Sequence, residues 1–156
     1  AIVGAYANDD AGLSSGSAYI FQRNHGGMDN WGQVKKLTAS DAELFDLFGD
    51  SVAISSDTAI VGALGNSAAG ELSGSAYVFR FDGTQWRQEA KLLAADGDED
   101  DEFGWSVSIS GDTAVIGAYR DDDNGSDSGS AYVFVVSGTH WLGAPCRVDQ
   151  LPGRGC

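Results

Sequence analysis

The sequence predicts an all-β fold assembled from a repeated unit, and three recurring motifs are the basis of that prediction. Ser-Gly-Ser-Ala-Tyr-(Ile/Val)-Phe occurs three times, at 15–21, 73–79 and 128–134. Ala-(Ile/Val)-(Val/Ile)-Gly-Ala keeps the same spacing, at 1–5, 59–63 and 114–118. Phe-Gly-x-Ser-Val-x-Ile-Ser occurs twice, at 48–55 and 103–110. Self-similarity with offsets of 58 and 55 residues indicates a repeat architecture.

Each period contains four short segments with the composition of β-strands. In the second period they are 48–55, 58–63, 74–81 and 85–94. They are rich in Val, Ile, Tyr, Phe, Trp and Thr and are bounded by Gly, Ser, Asp or Asn, which favours strands joined by hairpin turns. No segment keeps an apolar period of about 3.6 residues long enough for a helix. Four antiparallel strands repeated radially are typical of a β-propeller blade.

We therefore expect residues 1–142 to form about three four-stranded antiparallel blades of a β-propeller fragment that is incomplete at both ends. The expected units are a partial blade at 1–47, a blade at 48–102 and a partial blade at 103–142. The first has no Phe-Gly strand before Ala1, and the third is expected to lose its fourth strand after Trp141. Because closed propellers have about four to eight blades, further blades are expected in the full-length chain.

Residues 143–156 are expected to be an irregular tail outside the repeat. They contain both prolines and both cysteines of the chain. One interpretation is a loop closed by a disulfide between Cys146 and Cys156. The other is a disordered or foreign segment that follows the last repeat.

The Phe-Gly pair that opens one strand and the (Ile/Val)-Gly-Ala that closes the next resemble the FG-GAP repeat, the blade unit of integrin α-chain propellers. The resemblance covers roughly residues 1–142 and implies an extracellular or cell-surface protein with a role in binding or adhesion. The position of the motif's proline is occupied by Tyr6, Leu64 or Tyr119. Calcium-binding members of the family carry an Asp-x-Asp-x-Asp-Gly loop between the two motifs. Only 55–58 and 110–113 connect them here, so that usual calcium loop is absent.

The net charge of −14, with nine Lys and Arg residues, argues against a nucleic-acid-binding surface. No apolar run is long enough to insert into a membrane. In antiparallel blades the loops between strands two and three, and those leading to the next blade, emerge on one face. The acidic loops that contain Asp9, Asp10, Asp41, Glu43, Glu71 and Asp122 are candidates for binding a protein or glycan partner. The interpretation that the composition favours is a solvated surface that keeps the protein soluble.

Two acidic runs on the same face are candidate calcium sites, because hard cations prefer carboxylate oxygens. The first run supplies Asp96, Asp98 and Asp100. The second supplies Asp121, Asp123 and Asp127. Ca²⁺ is the one cofactor that the sequence suggests.

No catalytic constellation is evident in the sequence. His25 and His140 lie in expected turns of different blades, without a nucleophile or metal-ligand spacing beside them. The recurring Tyr, Phe and Trp residues favour packing between blades over a carbohydrate-stacking surface. We therefore expect a non-catalytic extracellular binding or adhesion module. The alternatives are a scaffold or accessory domain of a larger secreted enzyme, or a structural surface repeat.

Overall fold

The computed structural model describes residues 1–123, 125–137 and 140–147, and these form three antiparallel β-sheets without any helix. The first sheet consists of β1 (Ile2–Ala5), β2 (Ser17–Arg23) and β3 (Trp31–Leu37). The second consists of β4 (Val52–Ser55), β5 (Thr58–Ala63), β6 (Ser75–Phe81) and β7 (Trp86–Leu92). The third consists of β8 (Phe103–Ser110), β9 (Thr113–Ala118), β10 (Ser130–Ser137) and β11 (His140–Arg147). The predicted fold class is confirmed.

Strands follow one another in chain order within each sheet, and equivalent strands pair in equivalent registers. Val61 lies opposite Tyr77 in the second sheet, and Val3 lies opposite Tyr19 in the first. Each sheet also has a register shift in the pair formed by its last two strands, next to the Phe of the Ser-Gly-Ser-Ala-Tyr motif. A β-bulge of this kind increases the local twist. The repetition in sequence is therefore a repetition in backbone geometry.

The fourth strand of the third sheet is longer than the repeat pattern predicts. β11 continues to Arg147, so the expected end of the repeat at residue 142 falls inside a strand. Pairing continues because Leu142 and Gly143 lie opposite Val135 and Phe134 of β10. The rest of the expected tail, including Cys156 and therefore the proposed disulfide to Cys146, lies outside the described residues.

Two apolar clusters fill the spaces between successive sheets. Phe48 lies between the first and second sheets and makes edge-to-face contacts with Tyr77 and Phe79, with ring centroids 5.5 and 5.9 Å apart. Phe103 repeats this arrangement between the second and third sheets, against Tyr132 and Phe134 at 5.3 and 6.1 Å. Such pairs add about 0.5–1.5 kcal/mol beyond the burial of their area. The Phe of the Phe-Gly motif therefore packs between successive sheets and stabilises their contact.

The Gly of the same motif lets two backbones approach closely. Gly104 has φ of 96°, which other residues rarely adopt, and a Cβ there would overlap the carbonyl oxygen of Ser75 in the neighbouring sheet. Gly49 has φ of 97° and lies in the same way against Ser17 of the first sheet. Phe-Gly is therefore a packing signature of the contact between blades.

The middle sheet is covered on both sides, whereas the first and third sheets each have one open face. Val61 is fully buried, but its counterpart Val3 in the first sheet is 52% exposed. Likewise Ile60 is buried, and its counterpart Val115 in the third sheet is exposed. The open faces thus consist of residue types that the repeat buries between sheets.

We predict that the valine shared by β1 and β5 contributes to stability only where a second sheet covers it. Val61→Ala should lower the free energy of unfolding by about 1–3 kcal/mol, since it removes buried methyl groups and leaves a cavity. The matched change Val3→Ala should alter that free energy by no more than about 0.5 kcal/mol. Chemical denaturation monitored by circular dichroism measures both. Equal losses in the two variants would contradict this account of the core.

Candidate ligand-binding face

The loops that the sequence assigns to one face lie together and are joined by backbone hydrogen bonds. We call the surface formed by residues 6–16, 38–51, 64–74, 93–102, 119–123 and 125–129 the loop face. Between the first two sheets, the amides of Phe45 and Phe48 donate to the carbonyls of Leu13 and Ser15 at 2.8 and 3.1 Å. The amides of Asp100 and Phe103 make the equivalent bonds to Glu71 and Ser73 at 2.8 and 3.0 Å. Loops distant in sequence therefore form one ordered surface.

These backbone hydrogen bonds between loops form a ladder, and the ladder depends on residues held in the left-handed backbone conformation. Phe45 and Leu47 have φ of 65° and 57°, and their counterparts Asp100 and Glu102 have φ of 68° and 54°. The conformation recurs although the residue types differ, so the fold imposes it. Residues other than Gly, Asn and Asp rarely adopt this conformation, and strained backbone of this kind clusters at ligand-binding and active sites.

A short polar residue organises each loop between the second and third strands. The Asn66 carbonyl accepts a hydrogen bond from the Gly74 amide at 2.8 Å, and Asn8 with Gly16 and Asp121 with Gly129 repeat that distance. The Asn66 side chain also accepts from Ser75 Oγ at 2.7 Å and donates to Asp46 Oδ1 at 3.1 Å. The signal available in the sequence is an Asn or Asp seven residues before the Ser-Gly-Ser segment, which sequence analysis missed.

The six acidic residues expected to bind a partner are all exposed on the loop face. Three of them are engaged within the protein. Asp10 pairs with Lys36, Asp41 pairs with Lys91 Nζ at 2.6 Å, and Asp9 Oδ1 accepts from the Ser14 amide at 2.8 Å. In the part of the chain that the structure describes, the carboxylates of the other three make no hydrogen bond or ion pair. These are Glu43, Glu71 and Asp122.

The six candidate calcium ligands do not converge on one point. Asp96 and Asp121 meet at the Tyr132 hydroxyl, which lies 2.9 and 2.8 Å from their oxygens. Burial and the two carboxylates raise the pKa of Tyr132, so its phenol stays neutral. Among the described residues, no group of three or more acidic, His or Cys side chains is placed to hold a metal ion. Asp98, Asp100, Asp123 and Asp127 therefore do not complete a set with Asp96 and Asp121, and calcium binding stays a prediction.

Two further acidic residues of the loop face, Asp46 and Asp101, are buried and have a structural role. Asp46 Oδ2 accepts a hydrogen bond from the Glu43 amide, and Asp101 Oδ2 accepts the equivalent bond from the Asp98 amide, each at 2.8 Å. Burial raises the pKa of both carboxyls. These side chains shape the loop that enters each sheet and are not available to a partner.

An apolar patch lies beside the acidic side chains between the first and second sheets. Leu13, Leu44 and Phe45 form it, with Leu44 and Phe45 exposed to 60% and 49%. Leu44 packs beside Gly12, and Phe45 donates its amide to Leu13, so the three residues are contiguous. The equivalent positions one repeat later are acidic, and they are Glu71, Glu99 and Asp100. The loop face thus differs chemically from one pair of sheets to the next.

The comparisons with known proteins agree with the repeat that the structure shows. The family model described as "FG-GAP repeat" matches residues 31–79 and 86–134, which together make up more than half of the chain. Each match starts at the Trp that opens the last strand of one sheet and ends at the Phe of the next sheet's third strand. It therefore spans a complete contact between sheets. No curated protein matches the chain. No helix in the described residues is long and apolar enough to cross a membrane.

We predict that the protein becomes more stable as the pH falls from 7 towards 5. Burial raises the pKa values of Asp46, Asp101 and Glu102 above those of the unfolded chain. The folded state then binds more protons, so the free energy of unfolding rises as the pH falls through the folded-state pKa values. The pKa of Asp41 is lowered instead, so its carboxylate stabilises the folded state. That contribution to the free energy of unfolding is lost only at more acidic pH.

Thermal unfolding at a series of pH values tests this prediction. The variant Asp101→Asn keeps an acceptor for the Asp98 amide and should raise the melting temperature at pH 7 while reducing its dependence on pH. The control Asp112→Asn changes an exposed turn residue and should leave the profile unaltered. A melting temperature that falls steadily from pH 7 to pH 5 would contradict the assignment.

Proposed function

Because the chain belongs to the FG-GAP repeat family, we propose that it is a non-catalytic extracellular binding module that presents its loop face to a protein partner. FG-GAP repeats are typical of extracellular proteins, which supports this location. The fold alone does not specify an activity, so the proposal depends on the chemistry of the loop face. The partner that suits this face has both apolar and basic side chains.

The observation that carries the proposal is the apolar patch of Leu13, Leu44 and Phe45 within an acidic surround. Protein interfaces commonly have an apolar centre and a polar rim. The backbone bonds between loops hold these side chains in place before any partner arrives, which lowers the entropy cost of binding. Nearby carboxylates such as Glu43, which has no internal partner in the described residues, would pair with cationic groups.

Several features support a non-catalytic role. The buried carboxylates Asp46 and Asp101 are used to hold backbone amides. His25 lies in the turn between β2 and β3, at the end of the sheet opposite the loop face.

A second candidate function is that of an accessory domain of a larger secreted enzyme. The open faces of the outer sheets favour it, because they are suited to contact with further parts of a longer polypeptide. Val3 and Val115 are exposed where their counterparts in the middle sheet are buried, so further blades would cover them. In that arrangement the loop face would dock on another domain of the same polypeptide. A purely structural surface repeat would need no partner at this face.

We predict that the loop face binds an amphipathic cationic peptide. An immobilised peptide of alternating Lys and Leu is the probe, and surface plasmon resonance is the measurement. The double variant Leu44→Ser/Phe45→Asn should weaken binding at least about tenfold, because it removes the apolar centre while Asn tolerates the left-handed backbone. Added salt should weaken binding to the wild-type protein, since the surrounding contacts are ionic.

The matched control is Met28→Ser, which removes a 90% exposed apolar side chain at the opposite end of the sheet. It should leave the affinity unchanged, and binding in Ca²⁺ and in EDTA should be equal. Binding that survives the loss of Leu44 and Phe45, or that Met28→Ser abolishes equally, would overturn the proposal. A structural surface repeat would show no binding to the probe.

A further inference from the structure

A cleft of about 480 Å³ lies between the first and second sheets, at the end opposite the loop face. Its walls come from β2, β3 and the turns that join β4 to β5 and β6 to β7. The apolar part of the wall includes Phe21, Val34, Phe81 and Trp86. Phe81 and Trp86 lie side by side with ring centroids 5.6 Å apart. This volume is within the range of about 300–1,000 Å³ that is usual for small-molecule sites.

Six polar side chains also line the cleft without being used by the protein itself. They are Gln22, His25, Lys35, Ser56, Asp57 and Gln85. Within the described residues, none of these side chains takes part in a hydrogen bond or an ion pair. Elsewhere on the same surface, polar side chains do find partners, as Asp82 does with Thr84 and Arg87. Uncommitted polar groups that converge on aromatic walls are typical of a binding site.

The first sheet departs from the repeat at the cleft. Gln22 and Val34 occupy the positions that Arg80 and Glu89 hold in the second sheet. There the two charged side chains form an ion pair with Nε and Oε2 2.5 Å apart. Gln22 and Val34 cannot form an ion pair with each other. The equivalent position between the first and second sheets therefore has no such ion pair.

A second departure brings His25 into the wall of the cleft. The turn from β2 to β3 is three residues longer than the one from β6 to β7 and folds back over Gly32. A Cβ at Gly32 would lie 2.6 Å from His25 Cδ2 and 2.8 Å from the His25 carbonyl oxygen, so only glycine fits beneath the turn. The equivalent residues in the other sheets are Arg87 and Leu142. The longer turn and the glycine thus occur together.

We propose that this cleft binds a saccharide. A sugar ring has an apolar C–H face that can pack on aromatic rings, and hydroxyl groups at its edge that both donate and accept hydrogen bonds. The side chains of Gln22 and Gln85 also donate and accept, while Asp57 accepts and Lys35 donates. The trio of Lys35, His25 and Asp57 contains both charge types, so the cleft lacks the strong negative charge of the loop face.

Other ligand classes fit the same residues less well. A purely aliphatic ligand would remove water from these polar groups without replacing their hydrogen bonds, which is costly. A polyphosphate would meet a single lysine and also the carboxylate of Asp57. The site is separate from the loop face, so this inference stands independently of the proposed protein partner.

Saturation-transfer NMR with methyl glycosides of glucose, galactose, mannose, N-acetylglucosamine and glucuronic acid tests the inference. At least one glycoside should bind the wild-type protein saturably at millimolar concentration. The double variant Gln22→Arg/Val34→Glu introduces the ion pair of the second sheet and should weaken that binding at least about tenfold by closing the cleft. Gln85→Ala removes one exposed polar side chain from the wall and should weaken glycoside binding to a smaller extent.

The matched control is Trp31→Ala, which removes the exposed Trp at the position equivalent to Trp86 but outside the cleft. It should bind the glycoside as the wild-type protein does, and so should the loop-face variant Leu44→Ser/Phe45→Asn. Circular dichroism checks that each variant is folded. Failure of all five glycosides to bind, or equal affinity in the variant with the closed cleft, would overturn the inference.

Discussion

The contact between successive sheets at the Phe-Gly pair is the constraint on which the rest of this structure depends. The Phe103 ring fills the space against Tyr132 and Phe134, while Gly104 lets its strand approach the Ser75 carbonyl of the neighbouring sheet. The two effects require each other, because the ring reaches its pocket only when the backbones are this close. The spacing of the sheets, and hence both apolar clusters, follows from this contact.

The same contact positions the surface that we propose to be functional. The hydrogen bond from the Phe103 amide to Ser73 begins a ladder that continues through Glu102 and Asp100. The left-handed backbone at those residues is therefore a consequence of how the strand enters the sheet. At the opposite end, the same spacing leaves room for the cleft, at the place where the first sheet lacks the ion pair that Arg80 and Glu89 form in the second. A regular scaffold thus supports two chemically different surfaces.

Sequence periodicity predicted the sheets and the strand order, because each strand repeats its residue types at a fixed offset. It could not separate acids by burial, so nothing in the sequence distinguishes Asp46 and Asp101, which hold backbone amides, from the exposed acids of the loop face. The apolar patch escaped notice because Leu13 and Phe45 meet only through a hydrogen bond between distant loops. The cleft is lined where the first sheet departs from the repeat, as at Gly32. Sequence periodicity cannot predict such departures, because it identifies only the residues that recur.

A comparison of two glycine substitutions tests the central role of the Phe-Gly contact. Gly104 and Gly83 have similar φ values of 96° and 93°, but a Cβ at Gly83 would meet no atom within 4 Å. Gly83→Ala therefore reports the conformational cost alone, and Gly104→Ala adds the clash with Ser75. Equilibrium denaturation should show a loss for Gly104→Ala that exceeds the loss for Gly83→Ala by at least about 2 kcal/mol. Equal losses would mean that the close approach of the sheets does not determine the stability of the fold.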